Sequence, residues 1–182
     1  MRTFITFEFN RETKEKIAEL QNKIRNESIK GRFKYIDNFH LTIKFLGEVE
    51  ENKIGLIYQD LLRKIKGKEK INIYLKGLGC FGRGDVIKTI YLKCHGDLDK
   101  IKGIYDEVDK ITSNYGFKIE NRFTPHVTIA QEVILKSKFE NLQKKFEEYS
   151  IDNIVFDRVT IMKSEQRDGK RIYTPIYEIH LK

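Results

Sequence analysis

Two short stretches carry the residues whose types and spacing could do chemistry. His40-Leu41-Thr42-Ile43 and His126-Val127-Thr128-Ile129 share a His-x-Thr order, with an apolar filler between and an apolar residue after the threonine. The second copy lies close to half a chain length downstream of the first. Read with a period of two, each is a strand whose histidine and threonine point to one face, about 6–7 Å apart. An imidazole titrates near neutrality, so two opposed rings can hold different protonation states at once. One can accept a proton from water while the other gives one to a departing oxygen. The threonine hydroxyls, or nearby backbone N–H groups, can hold the non-bridging oxygens of a phosphate between them. This arrangement needs no metal and suits in-line attack on a cyclic phosphodiester.

An isolated histidine on a strand is usually a polar residue on a half-buried surface, and His95 and His180 read that way because neither has a threonine two residues on. A zinc site is a weaker reading. Two histidines on separate strands lack a third ligand at recognisable spacing, and the nearest carboxylates, Asp37 and Glu132, fit no pattern.

The positioning elements follow from periodicity. Strands are expected over 3–9, 33–36, 39–46, 71–76, 86–94, 117–120, 126–131, 154–163 and 171–181, with Asp168-Gly169 as a hairpin turn. In the first motif, Phe39, Leu41, Ile43 and Phe45 should face a core, and His40, Thr42 and Lys44 the opposite side. Helices are expected over 11–29, 50–66, 97–114 and 136–149, where apolar residues recur at helical spacing. The glycines at 77, 79, 82 and 84 read as a loop. Each motif is followed within ten residues by a helix, as an internal repeat would be. The fold class expected is α+β: two pseudo-symmetric lobes, each an antiparallel-rich sheet with helices on its outer face, around a central cleft.

At 182 residues the chain suits one bilobal domain spanning 1–182, long enough to bury a core without staples. Its formal net charge of +8 favours a polyanionic partner, with RNA or nucleotides the obvious class. Two cysteines, Cys80 and Cys94, without CxxC spacing make neither a disulfide framework nor a zinc site and fit a reducing cytosol. No stretch reads as a signal peptide or a membrane span, so a soluble cytoplasmic monomer is the expectation. The lysines at 64, 66, 68 and 70 read as a solvated surface.

The chain resembles the 2H phosphoesterases, and within them the RNA 2′,3′-cyclic phosphodiesterases, historically called 2′-5′ RNA ligases. The resemblance rests on His40-Leu41-Thr42-Ile43-Lys44-Phe45-Leu46-Gly47, on Phe123-Thr124-Pro125-His126-Val127-Thr128-Ile129-Ala130, and on the late strand Val159 to Ser164. It implies opening of a terminal 2′,3′-cyclic phosphate on RNA to a 2′-phosphomonoester, without a cofactor. His40 would be the proton donor and His126 the proton acceptor, with Thr42 and Thr128 binding the phosphate. Relatives often carry arginine soon after the second motif, where this chain has Gln131; Arg122 and Lys44 are then the candidate cations. Reversible 2′-5′ joining of tRNA halves is also associated with the family. A module that binds RNA or nucleotides in the same cleft without turnover is the alternative.

Overall fold

The structure is a computed structural model and describes residues 1–82 and 84–182. Two antiparallel sheets face each other. The first has four strands in the order β3-β1-β8-β9: β1 (Arg2–Glu8), β3 (His40–Glu48), β8 (Arg158–Arg167) and β9 (Lys170–His180). The second has five, in the order β2-β6-β5-β4-β7: β2 (Ser28–Phe33), β4 (Ile71–Phe81), β5 (Ile87–Gly96), β6 (His126–Leu135) and β7 (Ser150–Phe156). Each motif strand pairs antiparallel with the strand that leads into the helix before it, β3 with β1 and β6 with β5. In both, a helix intervenes and another follows. The doubling is therefore real in topology, although the lobes are not sequential halves, because the first sheet takes both ends of the chain.

Among the described residues there are four α-helices, of which the three long ones each bury an apolar stripe. α1 (Arg11–Asn26) starts at Asn10, whose side chain accepts the Thr13 amide at 2.9 Å, and buries Ile17, Leu20 and Ile24. α2 (Glu51–Ile65) buries Ile54, Ile57, Leu61 and Ile65 and packs on α3 (Leu98–Ser113). α4 (Phe139–Lys145) is much shorter than the 136–149 expected. The buried apolar side chains of both sheets join in one continuous cluster. Among the described residues no helix is long and apolar enough to cross a membrane.

Three expectations change. The glycine-rich stretch is strand rather than loop: β4 continues through Gly77 and Gly79 to Phe81, with a bulge between Leu75 and Leu78. Gly79 is required there, since a Cβ would lie 2.4 Å from the Tyr91 ring that crosses it. Residues 117–120 form no strand, because their polar groups are taken by side chains: the Lys118 carbonyl accepts Lys44 Nζ at 2.8 Å, and the Glu120 amide donates to Asp109 Oδ2 at 3.2 Å. The alternation over 154–163 belongs to two strands in different sheets, β7 and β8, with the crossing at Asp157. Smaller shifts also occur: α1 stops at Asn26, and the expected strand at 33–36 is β2, ending at Phe33.

Candidate active site

The two motifs meet across one cleft. His40, Thr42, His126 and Thr128 all line a pocket of about 170 Å³, with Phe45 from the first sheet and Phe81 and Gln131 from the second. The first sheet curls to make this possible. Its edge strands β3 and β9 are separated by β1 and β8, which would put them roughly 14 Å apart if the sheet were flat. Yet the ring centroids of His40 and Tyr173 are 5.2 Å apart, and Asn38 Nδ2 donates to the Arg171 carbonyl at 2.8 Å.

A bulge follows each motif. Between β1 and β3 the register passes from Thr6↔Thr42 to Ile5↔Lys44, which leaves Ile43 as an extra residue. Between β5 and β6 it passes from Tyr91↔Thr128 to Ile90↔Ala130, which leaves Ile129 extra. The bulge reverses the alternation beyond the threonine. Phe45 and Gln131 therefore share the cleft face with their motif, and Lys44 and Ala130 turn inward.

This corrects two expectations. Phe45 is 66% exposed rather than core, and Lys44 is 3% exposed, held in a buried ion pair with Asp109. Lys44 does not reach the cleft. Arg122 sits exposed on the irregular segment before β6 and does not line the pocket either. The cation that does line it is Lys34, just beyond β2, which sequence reasoning missed. No motif in the sequence marks it: strand pairing brings it beside the second motif, where the Lys34 amide donates to the carbonyl of the bulged Ile129 at 3.2 Å. Among the described residues the Lys34 ammonium has no ion-pair partner, and burial lowers its pKa, aided by the nearby charge of Arg32.

The two histidines are held differently. His126 Nδ1 lies 2.7 Å from the Thr124 carbonyl. A carbonyl only accepts, so Nδ1 carries the hydrogen, and in the neutral ring Nε2 is left with its lone pair. Phe81 and Tyr91 pack edge-on against the same ring, each with centroids 5.2 Å away. His40 is 7% exposed, between Phe4 at 4.9 Å and Tyr173, and its Nδ1 has no hydrogen-bond partner among the described residues. Burial, reinforced by the charges of Lys34 and Lys14, pulls its pKa down to about 3. These surroundings keep His40 uncharged at neutral pH. The hydroxyls of Thr42 and Thr128 make no hydrogen bond to protein among the described residues. His95 lies elsewhere, stacked on Tyr74 with Nε2 at 2.9 Å from the Lys76 carbonyl. Among the described residues no group of three or more His, Cys, Asp or Glu side chains stands together.

Known proteins share both sequence and fold. Residues 8–91 match the family described as LigT like Phosphoesterase. An RNA 2′,3′-cyclic phosphodiesterase of Thermotoga maritima is 32% identical over 178 residues, spanning 98% of this chain and 94% of that one. The protein of the same name from Methanocaldococcus jannaschii is 29% identical, spanning 98% and 99%. Among solved structures, Escherichia coli LigT in complex with 3′-AMP superposes with a TM-score of 0.77 at 22% identity, covering 99% of this chain and 97% of that one. TT0787 of Thermus thermophilus gives 0.78 at 17% identity, covering 99% and 97%. With two His-x-Thr strands brought to one cleft and this likeness along nearly its whole length, the chain belongs to the LigT-like phosphoesterases of the 2H superfamily.

Proposed function

We propose that the protein hydrolyses the 2′,3′-cyclic phosphate at the end of an RNA to a 2′-phosphomonoester. The observation that carries this reading is one small pocket lined by both His-x-Thr pairs from opposite sheets. Relatives named for the same activity support it.

Water attacks phosphorus and the bond to the 3′ oxygen breaks. His126 Nε2 takes the proton of the water, since its Nδ1–H is already committed to Thr124. His40 gives a proton to the departing 3′ oxygen. Thr42 and Thr128 donate to the non-bridging oxygens, and Lys34 supplies the compensating charge. His40 must be charged to act as donor, yet burial and its cationic neighbours keep it neutral. The phosphodiester anion itself resolves this. Seated between the rings, it opposes the charges of Lys34 and Lys14 and draws a proton onto His40. Phe45 and Phe81, both exposed and on opposite walls, are placed to stack on the terminal base.

The test is product analysis by phosphorus NMR on an RNA with a defined cyclic end. A 2′-monoester should form, and H40A and H126A should each abolish it while circular dichroism stays native. Tight binding of the RNA without any monoester would instead make the protein a binding module.

A further inference from the structure

A second depression continues from the catalytic pocket. It is a groove of about 580 Å³ that shares Lys34, Asn38 and Gln131 with the pocket. Arg2 from β1, Arg32 from β2 and Arg171 from β9 add three guanidinium groups to the Lys34 ammonium, and no acidic side chain among the described residues lines it. Arg2 and Arg171 have no ion-pair partner among the described residues, and Arg32 is paired at 2.8 Å with Glu132. Tyr35 and Tyr173 contribute aromatic surface. The Asn38–Arg171 hydrogen bond at 2.8 Å ties the β9 wall to the residue two before His40, so the groove is fixed relative to the catalytic pocket.

The sizes separate the two parts. Pockets that enclose a whole small ligand run to about 300–1,000 Å³. The catalytic pocket, at about 170 Å³, has room for a phosphate group and its immediate neighbours, while the groove is large enough for more chain. An RNA that ends in a cyclic phosphate has only one direction in which to continue, towards its 5′ side. A cationic, acid-free groove with one exposed ring, Tyr35, and one half-buried ring, Tyr173, is what a single strand needs: charge for its phosphates and faces for its bases.

We propose that this groove holds the RNA strand 5′ to the cyclic end, with Arg2 and Arg171 on internal phosphates. The preferred substrates are then oligonucleotides, not cyclic mononucleotides. The inference rests on the proposed activity for its orientation, so the experiment separates the two. Affinity is measured for RNAs of one to four nucleotides ending in a 2′-phosphate, the product form, and kcat/KM for the same series ending in a cyclic phosphate. Affinity and kcat/KM should both rise at least tenfold from one to three nucleotides. R2A/R171A should remove the rise and flatten the dependence of log Kd on log salt by about 0.7 for each phosphate that the variant no longer neutralises. Length-independent affinity, or a variant that keeps the full rise, overturns the groove even if the cyclic phosphate is hydrolysed. Length-dependent binding that disappears in the variant, with no hydrolysis of any RNA, upholds the groove and removes the proposed activity.

Discussion

Ile43 and Ile129 occupy equivalent places: each is the extra residue of a β-bulge one position after a motif threonine. The bulge decides which third residue joins His and Thr on the cleft face. It brings in Phe45 on one side and Gln131 on the other, where unbroken alternation would present Lys44 and Ala130. The doubled site is thus symmetric in its His–Thr pairs and asymmetric in its third member, apolar on one wall and polar on the other. F45A should therefore raise KM for a cyclic-phosphate RNA and leave kcat within a few-fold of wild type, while F81A, whose ring also packs on His126, should raise KM and lower kcat as well. Stacking on an aromatic ring contributes about 1–3 kcal/mol per base, so the rise in KM should be between roughly fivefold and a hundredfold. Steady-state kinetics on one short RNA suffices. An unchanged KM in both variants would remove the stacking role.

Lys44 has a structural task instead. Its ammonium is buried against Asp109 and also donates to the Lys118 carbonyl, while Asp109 accepts the Glu120 amide. Tyr105 adds a bond to the Glu120 carbonyl at 2.9 Å and stacks on Phe123. One motif strand thereby anchors the irregular segment that leads into the other. K44M leaves the Asp109 carboxylate buried and uncompensated, which costs about 3–5 kcal/mol. Denaturant unfolding should show that loss, and K44M/D109L should recover much of it.

Much of this architecture is legible in the sequence. The helical stripes of α1, α2 and α3 and the His-x-Thr strands follow from periodicity alone, because each element buries one face against a single core. The failures share one cause: alternation records which side of a strand is buried but not its partners. It cannot show that Ile43 and Ile129 are extra residues, because the register is set by the neighbouring strand. Nor can it show the crossing at Asp157, since both sheets impose the same period. Gly79 reads as a turn residue until Tyr91 is seen lying across it. Lys34 has no motif around it and joins the site only because β2 pairs with β6.

Gly79 also ties β4 to the ring of His126. Tyr91 crosses Gly79 and packs edge-on against His126. A Cβ at position 79 would lie 2.4–2.6 Å from the Tyr91 ring and hydroxyl, so the ring must move. G79A should lower kcat by about tenfold or more, as expected when a base loses its set position, with a smaller change in KM. G79A/Y91L, which removes the clash, should recover part of the loss. A fall in stability with unchanged kcat on the folded protein would show that Tyr91 does not position His126.

The protonation of His40 gives the last prediction. The folded ring titrates near 3 and the unfolded ring near 6.5. Between those values the unfolded chain binds the extra proton. The stabilisation from keeping His40 neutral is therefore fully present above pH 6.5 and is lost progressively as the pH falls towards 3. One such group changes unfolding free energy by at most about 1.4 kcal/mol per pH unit. H40Q should flatten the pH dependence of stability between about pH 6 and 4 by up to that slope. The same ring, followed by NMR in the free protein, should stay neutral down to about pH 4. Addition of a 2′-phosphorylated nucleotide should raise its pKa, because an anion beside the ring favours the charged imidazole against the cost of burial and also offsets the charges of Lys34 and Lys14. K34M should raise it before ligand is added and reduce the further rise on binding. A His40 resonance already charged at about pH 6 in the free protein would mean that burial does not suppress protonation, and substrate would not be needed to create the acid.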